Sequence, residues 1–167
     1  MNSLQLAMVL GAAVILSASA ASAADADVAK IKTLEAQFAD AVTAKNVDGI
    51  MKAYVPDESL FVFDVVPPRQ YVGAKAYRKD WDDFLKTFPG PVQFTVTDLS
   101  VATEGPLGYG HSIQHLVGKG ADGQQIDFTV RVTDVYRKIK GKWLIVQEHV
   151  SIPVDVATGK PDFSSKP

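Results

Sequence analysis

The sequence predicts an α+β domain in which three helices pack on one curved antiparallel sheet, and three observations lead there. Apolar residues recur at helical spacing from Val28 to Val42 and again from Tyr77 to Phe88. From Val92 onward the apolar period changes to two. Clusters of proline and glycine separate these runs. Helices that precede the strands, instead of alternating with them, argue for α+β.

The chain has 167 residues, 47% of them hydrophobic and 22% charged, which suits one folded domain and excludes overall disorder. Its net charge is −2 and no block of Lys or Arg stands out, so binding of nucleic acid through a basic face is not expected. It has no cysteine, which excludes disulfides, thiolate metal sites and cysteine nucleophiles.

The elements follow in order. Leu4 to Leu16 is an apolar stretch broken mainly by Gln5, and Ala21-Ser22-Ala23 has the pattern of a cleavage site. The stretch is shorter than the roughly 20 apolar residues of a bilayer span. We expect a cleaved export signal at 1–23, a domain at 24–153, a loose tail at 154–167, a periplasmic or secreted location, and no membrane attachment after cleavage. Asp25 or Asp27 caps the first helix, whose apolar stripe is Val28, Ile31, Leu34, Phe38, Ala41 and Val42. Asn46 is its left-handed stop, and Asp48 caps a short helix over 49–54 that Pro56 ends. A strand over 59–66 stops at Pro67-Pro68, because proline donates nothing to a sheet ladder. A third helix over 74–88 carries Tyr77, Trp81, Phe84, Leu85 and Phe88 on one side. Strands follow at 92–103, 109–118, 126–139 and 143–153, separated by Glu104-Gly105-Pro106, the Gly118 to Gly123 turn and Lys140-Gly141.

Four segments resemble the nuclear transport factor 2-like superfamily, in particular its SnoaL-like and ketosteroid-isomerase-like branches. They are Phe38 through Ile50, Tyr54-Val-Pro-Asp through Phe63-Asp64, Tyr71-Val-Gly73 to Trp81, and Thr133-Asp-Val-Tyr-Arg … Gly141-Lys-Trp143 … His149-Val-Ser151. The last also resembles the association domain of calcium/calmodulin-dependent kinase II. The resemblance implies a cone-shaped fold with a cavity between helices and sheet, and a homodimer through the outer sheet face.

Several residues can carry chemistry. Asp64 shares a strand face with Val62 and Val66, where poor solvation raises a carboxyl pKa and suits it as a general base. By resemblance it holds the position of the proton-shuttling base; the alternative is a strand-end residue bonding the Pro67-Pro68 turn. Asp134 shares a face with Val130, Val132 and Tyr136. It matches the aspartic acid that donates to an oxyanion in ketosteroid isomerase; the alternative is an exposed ion pair with Arg131 or Arg137. Phe38 stands where that family has its oxyanion-donating tyrosine, and loss of one such donor costs about a hundredfold or more in rate. Tyr54 and Trp81 match further pocket-side aromatic positions, with core packing as the alternative.

Glu148 and Val150 share the cavity face with Asp134. His149 then faces the other side of the sheet, unless a bulge reverses the assignment. Arg131 alternates away from that face as well. His111 and His115 lie on one face but lack a third metal ligand, so no metal or other cofactor is expected. No phosphate-binding loop, nucleophile elbow or dinucleotide fingerprint is present.

The expectation is an exported protein that binds a small apolar or weakly polar ligand in its cavity. Two alternatives stand beside it. One is an isomerase, dehydratase or hydrolase with Asp64 as base and Asp134 as acid. The other is a homo-oligomeric assembly module.

Overall fold

The computed structural model describes the backbone of residues 3–163 and the side chains of residues 23–163. The side chains of the expected export signal therefore lie almost wholly outside the described residues. Among the described residues no helix is long and apolar enough to cross a membrane.

Helix α1 (Ser3–Thr43) runs through the expected cap positions without a break. Asp27 is thus not an N-cap. It turns inward and accepts from Lys138 Nζ at 2.8 Å and Lys30 Nζ at 2.9 Å. The buried stripe of α1 contains Ile31, Phe38, Ala41 and Val42 as expected, but also Asp27 and Glu35. Lys45 takes the left-handed conformation (φ 54°) expected of Asn46. Asn46 instead caps helix α2 (Val47–Ile50) by accepting from the Gly49 N–H at 3.0 Å. A 3-10 turn (Met51–Ala53) follows.

The expected strand over 59–66 shrinks to β1 (Phe61–Phe63). Side chains take the backbone donors on both sides of it. Asp57 accepts from the Ser59 N–H at 2.9 Å, and Asp64 accepts from the Val65 N–H at 2.5 Å. Strand β2 (Tyr71–Val72) pairs with β1, and helix α3 (Ala74–Lys86) follows. The long strands are β3 (Gln93–Glu104), β4 (Leu107–Lys119), β5 (Gln125–Ile139) and β6 (Lys142–Ser151). Lys140 and Gly141, both at positive φ, make the two-residue turn whose twist suits the β5–β6 hairpin.

The sheet order is β2-β1-β6-β5-β4-β3. It is mixed where an antiparallel sheet was expected, because β1 runs parallel to β6. The chain enters β1 from the helical layer, so no hairpin dictates its direction. The open sheet curves around the helices with irregularities in two strands. One is at Asp98 and Leu99 of β3; the other is at Val146 of β6, which has no partner between the pairs Tyr136–Ile145 and Val135–Gln147. The bulge at Val146 shifts the inward face by one residue. Trp143 and Ile145 point to the core before it, and Glu148 points to the core after it.

Within the described residues the tail, 154–163, is folded where a loose segment was expected. Strands β7 (Val154–Asp155) and β8 (Lys160–Pro161) form a hairpin. The Thr129 N–H donates to the Phe163 carbonyl at 3.1 Å, and the Phe163 ring lies 6.4 Å from Phe128.

The bulge makes a testable claim. Deleting Val146 removes the phase change, so either Trp143 and Ile145 or Glu148 must leave the core. We expect loss of a cooperative thermal transition; a variant that melts like the parent would show that the bulge does not set the register.

Candidate functional site

Helix α3 presents Tyr77, Asp80, Trp81 and Phe84 at helical spacing toward the concave sheet face. Between them lies a cavity of about 270 Å³. Its far wall comes from β3 to β6 (Phe94, Gln114, Phe128 and Glu148 among others), and Phe163 of the tail closes one side. The rings meet edge to face: Tyr77 and Trp81 at 6.0 Å, Trp81 and Phe84 at 5.9 Å, Phe84 and Phe128 at 6.3 Å.

Glu148 is 3% exposed and forms the polar floor. It accepts from the Tyr77 hydroxyl at 2.5 Å and the Tyr54 hydroxyl at 2.7 Å. Asp134 stands beside it in the register of β5 and β6. Tyr136 donates to Glu35 at 2.8 Å and lies 3.4 Å from Asp134 Oδ2. Gly110, opposite Asp134 on β4, leaves the room this needs, since a Cβ there would come within 3.2 Å of the Tyr136 ring and hydroxyl.

Three carboxyls are therefore buried together with three phenols. No Lys, Arg or His among the described residues bonds to these carboxyls. Burial disfavours their charged forms. It pushes Glu35 and Glu148 up to about 7, against the bonds from the phenols. Asp134 is driven well above the usual carboxylate range, by burial first and then by the neighbouring Glu148 and Glu35. The contact with Glu148 raises Asp134 further, since two adjacent acids resist ionising together. Burial also raises the phenols of Tyr54, Tyr77 and Tyr136, which stay protonated and donate.

At the mouth, Asp64 is raised by burial and by the nearby Asp80. The Tyr77 hydroxyl lies 3.5 Å from it, so this hydroxyl stands between Asp64 and Glu148. Asp80 accepts from the Tyr71 hydroxyl at 2.6 Å, and burial raises it too.

The expected residues divide three ways. Asp64, Trp81, Glu148 and Val150 line the cavity. Asp64 lines the cavity and also accepts from the Val65 N–H before Pro67-Pro68. Phe38, Tyr54 and Asp134 are buried behind the lining, with the Phe38 ring 5.7 Å from Trp81 and 6.0 Å from Tyr54. Asp134 thus does not line the space that Asp64 lines, although its neighbour in the register, Glu148, does; it makes no ion pair with Arg131 or Arg137 either. His149 lies on the outer face, edge-on to Phe63 at 5.5 Å. His115 pairs there with Asp127 at 2.8 Å. Among the described residues no group of three potential ligands could hold a metal ion.

Sequence reasoning missed Glu35, Tyr77, Asp80, Gln114 and Tyr136 as site residues. Glu35 lies four residues after Ile31 and three before Phe38, on the buried stripe itself, and that spacing was its signal. Tyr77 and Tyr136 were visible as apolar-face residues, but nothing local shows where their hydroxyls go.

The family model of the SnoaL-like domain matches residues 31–155. Among solved structures, a nuclear transport factor 2-like protein of unknown function from Pseudomonas putida is 29% identical, with TM-score 0.76, over 86% of this chain and 98% of that one. A candidate dehydratase of the same superfamily from Streptomyces avermitilis is 15% identical, with TM-score 0.67, over 76% and 96%. A candidate calcium/calmodulin dependent protein kinase II association domain from Xanthomonas campestris is 21% identical, with TM-score 0.58, over 75% and 84%. These similarities give the three helices and curved mixed sheet their place as a nuclear transport factor 2-like fold. No curated protein matches the chain.

The raised carboxyls fix the sign of a pH dependence. Unfolded, such groups titrate near pH 4; folded, Glu35 and Glu148 titrate near 7. Between those values the native state holds more protons, so stability falls as pH rises. The array as a whole therefore stabilises the fold most at acid pH and least above neutrality. We expect Tm to fall from pH 5 to pH 8, and Glu35→Gln to flatten the curve. A Tm that climbs through this window would contradict the neutral array.

Proposed function

The chain belongs to the SnoaL-like domain family, and from that premise we propose that it binds a small, largely apolar molecule in the cavity between α3 and the concave sheet face. One observation carries this reading. The apolar cavity is lined by two residues with buried N–H groups, the Trp81 indole and the Gln114 amide, that no protein acceptor meets. A donor left so costs about 1–3 kcal/mol, which a ligand oxygen would recover. The chain has two tryptophans, so Trp143→Phe isolates the emission of Trp81. We expect a saturable change in that emission on titration with aromatic ketones and esters. A flat response across neutral and charged members of such a panel would sink the reading.

A second reading is favoured by Asp64 and Glu148 lining one cavity with the Tyr77 hydroxyl between them. It is proton-transfer catalysis of the isomerase or dehydratase type. Ionised Asp64 takes a proton from carbon, and protonated Glu148, in the place first expected for Asp134, gives one to the oxygen that gains charge. The similarity in fold to a candidate dehydratase is consistent with this class. Asp64→Asn should lower turnover about a hundredfold or more, at an unchanged Tm. Normal turnover by that variant would remove Asp64 from the chemistry.

Two parts of the proposal rest on sequence and surface. The Ala21-Ser22-Ala23 pattern supports export with cleavage after Ala23, which would leave Asp27 and every later core residue in place. The outer sheet face, with Tyr109 60% exposed, supports self-association there. The mass of the secreted chain and its sedimentation coefficient test the two; an uncut monomer would refute both.

A further inference from the structure

The cavity also carries a sign. Of the described residues that line it, Asp64, Asp80 and Glu148 bear carboxyls and none is Lys, Arg or His. A carboxylate or phosphate ligand would meet like charge there and no cation. We propose that the ligand is an organic cation, with a charged nitrogen beside the carboxyls of Asp64 and Asp80, an apolar body among the rings, and an acceptor oxygen toward Gln114. This rests on the cavity being a ligand site, as proposed above.

A buried cation is stable only where charge or π-faces replace its water. This cavity supplies both. Its two mouth carboxyls are already held, Asp80 by the Tyr71 hydroxyl at 2.6 Å and Asp64 by the Val65 N–H at 2.5 Å. Neither needs to be ordered by the ligand, so little binding energy goes into arranging them. Trp81, Phe84 and Phe128 line the same space and supply its aromatic wall. Trp is the best of the aromatic partners for a cation. Gln114 is an independent sign of a ligand. It is 6% exposed, lines the cavity, and has an amide nitrogen without a partner. That donor calls for an oxygen, which a purely hydrocarbon ligand lacks. The two features together describe an amine or quaternary ammonium compound with a carbonyl, ester or hydroxyl oxygen. A neutral lipid-like molecule would satisfy the walls but leave the mouth carboxyls facing hydrocarbon.

Two probes of the same shape separate these cases. Benzoylcholine has a permanent charge, an ester oxygen and a phenyl ring; 3,3-dimethylbutyl benzoate replaces its nitrogen by carbon. Calorimetric titration of the purified protein at neutral pH should show the cation binding at least about tenfold tighter. Asp80→Asn should erase most of that ratio. Equal affinities, or tighter binding of the neutral ester, overturn the charge inference while leaving the cavity a ligand site. Binding of neither probe up to millimolar concentration overturns both. The parent protein's ratio decides the matter even if the variant does not fold.

Discussion

Glu35, Asp134 and Glu148 are buried together without a cation bonded to any of them, and much of the structure answers to that constraint. An ionised carboxylate in such surroundings is too costly, so protons must remain on the array and phenols must reach it. The phenols come from separate elements: Tyr54 after the 3-10 turn, Tyr77 on α3 and Tyr136 on β5. Their convergence ties α1, through Glu35 and Tyr136, and α3, through Tyr77 and Glu148, to the sheet interior. A purely apolar core would fold at lower cost. The polar array instead lays Glu148, a proton-holding group, at the floor of an otherwise greasy space.

Helix α1 shows how strongly partners decide the state of a carboxyl. Asp27 and Glu35 are both buried on one side of it, two turns apart. Asp27 meets Lys138 and Lys30, and those ammonium groups hold it far below the usual carboxylate range. Glu35 meets only the Tyr136 hydroxyl, and burial carries it up to about 7. The same helix thus carries a fixed charge at one place and a neutral acid at another. The charged pair fastens α1 to β5 near the Lys140-Gly141 turn, away from the cavity, where a charge does not compete with the array.

The cavity exists because the sheet bends and the tail returns. The unpaired Val146 lets β6 place Trp143 and Ile145 in the core under α1 and then Glu148 and Val150 on the same concave side. Without that phase change the inner face would offer Gln147 and His149 at the floor. The hairpin of β7 and β8 then sets Phe163 against Phe128, so the apolar walls are completed by residues outside the main sheet.

Much of this was legible in the chain. The element order, the four long strands and the turn at Lys140-Gly141 follow from spacing and from Gly and Pro, which act on near neighbours, and four motifs carried the resemblance to a family. Glu148 and Val150 were readable as sharing Asp134's face from strand alternation, whereas Asp64 and Trp81 were placed in the cavity with the help of the family resemblance. The parallel pairing of β1, the folded tail, the burial of Glu35 and the exclusion of Asp134 from the cavity lining were not. Each depends on contacts between elements at distances along the chain that the spacing within one element does not span, or on one unpaired residue in a strand. Local periodicity carries no information about such distances. By itself the sequence determined which segments are helix and strand and which face of each is apolar, because those depend on backbone sterics and on the spacing of side chains along one element. Only the tertiary structure decided which acids share a proton-rich interior and which look into the cavity, because that is a matter of register between elements and of the water their packing excludes.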